Sequence, residues 1–283
     1  MYKKLIFAAL ISCNAFAYAQ DEVERIAPDR PGFGDAVGMS PVGQLQLETG
    51  VQLEQTSYDD VLIGNIFSRD ISINSTLLRY GVNERFEARF DYNILRNSTG
   101  IDGEEFEQTV GLAPCRLGLK AHILKNKGII PELAFISMIG FPWTATEEFR
   151  PAGIKSDWQL SFSNAITEKF SICYNLGLNW DGNSVNPQNY YALSAECYPT
   201  DKFGFYVQGR GYTQKVANLG GSDNIYYTAL YSEGGIMFYP RPNVQIDLSG
   251  GALLNDYLSD NFSTNDINYF FITAGLSWRF GDK

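Results

Sequence analysis

His122 is the only histidine of the 283-residue chain. A lipid hydrolase built on a barrel pairs such a residue with a serine, because the imidazole must take the hydroxyl proton. No serine is placed beside His122 by the sequence, and no Gly-x-Ser-x-Gly motif occurs. An enzyme is therefore not expected, and His122 reads as a polar wall residue. The cysteines beyond the N-terminal segment are Cys115, Cys173 and Cys197. An odd number cannot all pair with one another, and the spacing has no zinc pattern. Asn255, Asp256, Asp260, Asn261, Asn265 and Asp266 offer calcium-type oxygens without the spacing of a calcium loop, so they read as a solvated loop. No cofactor or metal is expected.

The remaining chemistry is charge, and it alternates with apolar residues. Over residues 85–94, Phe86, Ala88, Phe90, Tyr92 and Ile94 fall on one face. Arg85, Glu87, Arg89, Asp91 and Asn93 fall on the other. Successive side chains of a strand point to opposite faces, so this segment has an apolar side and a charged side, which a helix would mix. The same alternation runs through 44–54, 115–123, 170–180 and a last segment ending at Phe280. Weaker versions lie near 71–80, 130–139, 157–166, 190–198, 203–212, 226–238 and 244–254. The pattern predicts about twelve strands of the ~9–11 residues that a tilted strand needs to cross a bilayer.

The N-terminus specifies where such strands would go. Lys3 and Lys4 precede an apolar run, and Ala17-Tyr18-Ala19 supplies small residues at alternate positions. This is the layout of a secretory signal peptide over residues 1–19. Leu10-Ile11-Ser12-Cys13 also resembles a lipoprotein box with Cys13 as the lipidated residue. Cleavage after residue 19 removes two lysines and no acid, so the formal net charge of −10 becomes −12. That balance argues against nucleic acid, which needs a basic footprint. Beyond residue 19 there is no run of 18 or more apolar residues, so no transmembrane helix is expected. Two classes remain: a soluble all-β protein, or a membrane barrel.

The connections favour the barrel. Short turn-rich joints at 81–84, 125–128, 167–169, 199–202 and 240–243 alternate with longer ones at 56–69, 95–112, 140–156, 181–189, 213–225 and 255–268. Outer-membrane barrels have short periplasmic turns and long outer loops. Aromatics recur near both strand ends. Tyr80, Phe86, Phe170, Tyr198, Phe203, Phe238, Tyr239 and Phe280 lie near the short turns. Tyr92, Trp180, Tyr191, Tyr212, Tyr226 and Tyr227 lie toward the other ends. These are expected to form two girdles. A soluble barrel of twelve strands would enclose a cavity too wide to fill easily with side chains. The expectation is an all-β, antiparallel up-and-down barrel of about twelve strands in the outer membrane of a Gram-negative bacterium.

A family resemblance agrees. Asp29-Arg30-Pro31, then Ser40-Pro41, then Gly43-Gln44-Leu45-Gln46-Leu47-Glu48-Thr49-Gly50 resemble the N-terminal signature of a group of outer-membrane barrels known as transporters or as phenol meta-cleavage-pathway proteins. Leu78-Arg79-Tyr80-Gly81 with Arg85-Phe86-Glu87 looks like its second hairpin. Residues 243–251 and Gly275-Leu276-Ser277-Trp278-Arg279-Phe280 are similar to its last two strands. The resemblance spans residues 29–280 and implies a barrel and a transport role, with small hydrophobic or aromatic compounds as cargo. Thr273-x-Gly275-x-x-Trp278-x-Phe280 also resembles the C-terminal signal read by the barrel assembly machinery, although Gly281, Asp282 and Lys283 follow it.

A charge on the lipid face costs ~2–4 kcal/mol for each Arg or Lys at mid-membrane, which turns the charged face inward. The lumen is then expected to hold Glu48, Glu54, Arg79, Arg85, Glu87, Arg89, Asp91, Arg116, Lys120, His122, Glu196, Gln208, Arg210, Gln245, Asp247 and Arg279. Two readings stand: a network of ion pairs that stiffens the interior, and a polar path that selects solutes. Residues 20–42 precede the first strand and are rich in strand breakers. They are expected either to enter the lumen as a plug, with Asp29 and Arg30 pairing with wall charges, or to hang as a periplasmic tail. The barrel itself is assigned to residues 43–283. The functional expectation is a transporter or channel for small solutes in contact with outer-membrane lipid. The alternatives are a structural or partner-binding barrel without flux and, behind it, a lipid hydrolase.

Overall fold

In the computed structural model, the described residues are 25–60, 62–125, 128–216, 225–258 and 267–281. The signal segment and Cys13 lie outside them, as do Asp260, Asn261, Asn265 and Asp266. Thirteen strand segments follow one another: β1 (Leu45–Asp60), β2 (Gly64–Asn83), β3 (Phe86–Ile101), β4 (Glu104–Leu112), β5 (Arg116–Leu124), β6 (Glu132–Gly140), β7 (Lys155–Thr167), β8 (Phe170–Trp180), β9 (Gln188–Thr200), β10 (Phe203–Val216), β11 (Ile225–Arg241), β12 (Val244–Leu258) and β13 (Asn268–Phe280).

Each segment pairs antiparallel with its sequence neighbour, except at β4 and β5. Both of these pair with β3, β4 along residues 94–101 and β5 along residues 86–91. They are one stave broken at Ala113-Pro114-Cys115, where Pro114 has no N–H to give to a ladder. Thirteen segments thus make twelve staves. The sheet closes where β1 pairs with β13 from Leu45 opposite Phe280 to Ser57 opposite Asn268. Closure removes the free edges that a twelve-stranded open sheet would present.

Several connections expected to be loops are strand. β1 reaches Asp60 and β2 begins at Gly64, so most of 56–69 is an extended hairpin. Residues 95–112 likewise form the end of β3 and all of β4. These extensions carry Ser and Thr on both faces (Ser57, Ser68, Ser98, Thr99), so their apolar period is broken and short, as at Phe106, Val110 and Leu112. Loop 140–156 does leave the sheet and forms two short 3₁₀ turns at Pro142–Thr144 and Glu147–Phe149.

The barrel is inverted relative to a water-soluble core. Leu117, Leu119, Val207, Ile236, Leu248 and Ile272 are exposed on the outer wall, whereas Arg79, Lys120, Gln46, Glu48 and Glu87 are among the largest fully buried side chains. Charged residues are almost never fully buried unless paired. A continuous apolar exterior around a charged interior is stable only where the exterior meets lipid. Tyr80, Phe86, Phe203, Phe238, Trp278 and Phe280 are exposed around the short-turn end, where an interfacial girdle belongs.

Candidate functional site: a charged lumen around the N-terminal segment

Residues 25–42 run through the interior. Pro28, Pro31 and Pro41 keep this stretch from joining the sheet, so its backbone groups must find other partners. The wall supplies them. Asp29 and Arg30 N–H groups donate to Glu48 Oε2 at 3.0 and 3.2 Å. Ser40 N–H donates to Glu87 Oε2 at 2.7 Å, and Phe33 N–H reaches Gln208 Oε1 at 3.0 Å and Glu233 Oε1 at 3.1 Å. In the other direction, Arg79 donates to the carbonyls of Ala27 and Gly38 at 2.9 and 2.7 Å. Lys120 donates to the Gly38 carbonyl at 2.8 Å and Gln245 to that of Arg30 at 2.8 Å. At its two ends the segment is tied to the short-turn rim. Ile26 N–H bonds Pro242 O at 2.7 Å, and Val42 bridges to Gly81.

Asp29 is the centre of this arrangement. Its carboxylate meets Arg79 at 3.6 Å, Lys120 at 3.3 Å, and Arg89 through a short ion pair. Arg79 in turn bonds Glu48 at 2.7 Å and Glu87 at 2.8 Å. Burial alone would push the Asp29 carboxyl up. Arg79, Arg89 and Lys120 overcome that and hold it well below the usual carboxylate range. Arg30 makes a second anchor, with Nη2 at 3.2 Å from Asp247 and 2.8 Å from Thr273 Oγ1. Its guanidinium lies against Gly50 and Gly275, where any Cβ would collide with it. At these two glycines, and at Gly81 against the Ser40 and Pro41 carbonyls, the wall admits the segment closely.

The other wall holds the segment far less. From β6–β9, the one hydrogen bond recorded to it among the described residues is Asn175 Nδ2 to Asp35 O, at 2.9 Å. Two lumen cavities border this side, of about 470 and 410 Å³, the first of them extending across to β1–β3. The first lies toward the outer loops and is lined by Asp91, Arg116, Lys155, Asp157 and Tyr190. The second lies toward the short turns and is lined by Glu132, Cys173, Ser194, Glu196 and Tyr198. Asp29, Arg30 and Asp35 line both.

The alternation places the remaining wall residues as follows. Arg116 pairs with Asp91 at 2.6 Å, His122 with Glu132 at 2.7 Å, and Arg210 Nε with Glu233 at 3.2 Å. Glu196 accepts from Tyr198 Oη at 3.0 Å, and Asp247 and Arg279 are buried. Arg85 differs. It is exposed in the turn between β2 and β3, because β3 starts one residue later at Phe86. The girdle expectation also needs correction at four tyrosines. Tyr198 and Tyr239 turn inward, pack with Ile26, and lie under Arg25 at 3.9 and 5.0 Å. Tyr212 and Tyr227 turn inward and continue as a row of rings through Tyr231, Tyr269 and Phe271, with neighbouring centroids 5.2–6.4 Å apart. The Arg210 guanidinium sits 4.5 Å from both Phe33 and Tyr231 at the inner end of that row. Aromatic enrichment alone does not say which face a ring takes; strand parity counted from Gln208 and Glu233 does.

A closed twelve-stave barrel with an apolar exterior and a charged, occupied lumen defines the class: an outer-membrane β-barrel. The family described as "Putative MetA-pathway of phenol degradation" matches residues 28–271, and the chain belongs to that family. Among solved structures the chain is similar to the COG4313 outer membrane channel from Pseudomonas putida F1. The two share 13% identity, with 88% of this chain and 100% of that chain covered and a TM-score of 0.65. It is also similar to the translocator domain of the autotransporter NalP from Neisseria meningitidis, at 13% identity, with coverage of 86% and 89% and a TM-score of 0.51. These likenesses concern the barrel fold. No curated protein matches the chain in sequence.

Proposed function

We propose that the protein is an outer-membrane channel for small solutes, closed in this conformation by residues 25–42 acting as a plug. The observation that carries the reading is the seat of Asp29 among Arg79, Arg89 and Lys120. A loose tail would give up these ion pairs and leave Arg89 and Lys120 compensated by water alone. The wall residues Glu48, Glu87 and Asp247 complete the seat, and Arg116, Asp91, His122, Glu196, Arg210 and Arg279 line or buttress the lumen around it. The family description points to phenols as the cargo chemistry. The inward row from Tyr212 to Phe271 offers ring faces that suit small aromatic or hydrophobic compounds. Residues 1–19 act as the export signal, and β13 presents the segment that the barrel assembly machinery reads.

The test is deletion of residues 20–40 followed by single-channel recording in planar bilayers. The deletion is expected to raise conductance severalfold over the full chain. Equal conductance would remove the plug. Liposome swelling with phenol-sized solutes separates a channel from a barrel without flux: swelling absent from both proteins would favour the latter.

A further inference from the structure

We propose that solutes pass the seated plug by an off-centre route along β6–β9, and that this route favours small cations over anions. The inference rests on the channel reading and adds the path and its charge preference.

The path follows from where the plug is held and from what the two lumen cavities share. The plug's ion pairs and most of its backbone bonds go to β1–β3, β5 and β10–β13. The outer cavity reaches from β1–β3 across to β6, β7 and β9, the inner one is lined mainly by β6–β9 with β10–β12, and the wall strands common to both are β6, β7 and β9. Between the two cavities stands a thin partition of side chains. Tyr190 Oη donates to Gln159 Oε1 at 2.7 Å, and Gln159 Nε2 donates to Ser161 Oγ at 2.8 Å. Asn175 Nδ2 reaches Ser161 Oγ at 2.9 Å and Asp35 O at 2.9 Å. Opening this partition needs the loss of one wall–plug hydrogen bond and of the edge contact of Tyr190 with Phe33, centroids 5.5 Å apart, whereas withdrawing the plug needs the loss of the whole Asp29 cluster. Gly34 lies directly against Asn175, where a Cβ would collide with the amide. Gly34 is therefore the movable point of the passage, and Asp35 tethers it to Arg89 at 3.5 Å.

The charge preference follows from what faces the path. Asp157 stands on the outer side of the partition, Asp35 on the plug, and Glu132 and Glu196 on the inner side. The cations there are paired: Arg116 to Asp91 at 2.6 Å, Arg30 to Asp247 at 3.2 Å, and Arg89 to Asp29 and, at 3.5 Å, to Asp35 itself, so the preference rests on the excess of carboxylates over cations lining both cavities. Arg25 is stacked on Tyr198. Lys155 is the main counterweight on the outer side. Carboxylate-lined constrictions pass cations in preference to anions.

The experiment uses the full-length barrel in a planar bilayer under a KCl gradient. Zero-current potentials are expected to give a severalfold excess of potassium over chloride permeability. Asp35→Asn and Asp157→Asn should each reduce that ratio by about twofold, and Asn175→Ala should raise conductance without reversing it. Chloride preference, or a ratio unmoved by both acid substitutions, would overturn the charge assignment. Cys173 reports the path independently, because its thiol lines the inner cavity. With Cys115 and Cys197 replaced by serine, a cationic methanethiosulfonate added from the outer side should react severalfold faster than an anionic one of equal size. Equal protection from both reagents in the full chain, together with reaction in the 20–40 deletion, would place the route elsewhere while leaving the channel standing. No current from either the full chain or the deletion would instead remove the channel itself.

Discussion

The two halves of the lumen treat the same segment differently. Toward β1–β3 and β5, residues 25–42 are locked by an ion cluster in which Arg79 and Lys120 have no exposed side-chain surface. Toward β6–β9 they meet Asn175, Tyr190 and Tyr198, through one neutral hydrogen bond and ring contacts, and Asn175 is backed by Ser161 and Gln159. Buried charge is costly to strand, so the first half fixes position. Neutral hydrogen bonds contribute little net energy each and exchange readily with water, so the second half can open. One wall serves as anchor and the other as passage.

The contrast breaks most severely at Arg79. Its guanidinium serves Glu48, Glu87 and Asp29 as well as two plug carbonyls. Arg79→Ala takes from Glu48 and Glu87 their only ion-pair partner among the described residues and from Asp29 one of three, and should cost roughly 3–5 kcal/mol in urea unfolding of the detergent-solubilised barrel. The plug should be released as well, so conductance is expected to approach that of the 20–40 deletion. Full stability with a closed channel would mean that the cluster does not hold the plug. Acid should not mimic this readily. The Asp29 carboxyl sits well below its ordinary 3.8, so its contribution is present at neutral pH and is lost only as the pH falls through that lowered value.

Gly275→Ala probes the second anchor. The new Cβ meets the Arg30 guanidinium, which Asp247 and Thr273 hold in place. Overpacking of this kind costs about 1–3 kcal/mol, and Arg30 should give way before the backbone does. The expected result is a partly destabilised barrel with more frequent openings in single-channel records. Gly209→Ala, where a Cβ meets nothing, is the matched control and should change neither.

Both halves were partly legible in the sequence, for different reasons. The walls announce themselves because lipid on one side and charge on the other impose a period of two: Arg79, Glu87, Arg89 and Lys120 fall on the inward face by counting alone. What cannot be counted is pairing. Asp29 lies 60 residues from Arg89 and 91 from Lys120, and only closure of the barrel brings them together. The hairpin extensions at 56–69 and 95–112 were hidden because polar and small residues interrupt their apolar face, as Gln108 does between Phe106 and Val110. The inward turn of Tyr198, Tyr212, Tyr227 and Tyr239 was hidden because a tyrosine suits a lipid interface and a polar lumen equally well. Asp35 and Gly34 carry no periodic signal at all, since they sit on a segment without regular structure.

Asp35 sharpens the comparison through pH. Burial raises its carboxyl to about 6, with the negative charge of Asp29 adding to the rise and Arg89 and Lys120 opposing it. Asp157 on the passage wall also pushes it up. A raised acid works opposite to Asp29: its protonated form is favoured in the folded barrel, so the seat gains stability as pH falls from above 6 toward 4 and loses that gain above 6. Cation preference should therefore weaken between pH 7.5 and about pH 5. The Asp35→Asn variant should be flat over the same range. An unchanged pH response in Asp35→Asn would assign the titration to another group.

The smallest expected effect is at Asn175, and it tests the asymmetry most directly. Asn175→Ala removes the amide that joins Ser161 to the Asp35 carbonyl. The loss is two neutral hydrogen bonds in a site next to two cavities that admit water, so the cost should be only about 0.5–1.5 kcal/mol. Stability should hardly move, whereas open probability should rise. That pairing is the inverse of what Arg79→Ala should show, where stability falls first and opening follows from it. A large stability loss at Asn175 would make the passage wall a second anchor, and the division of the lumen into a fixed and a yielding half would fail.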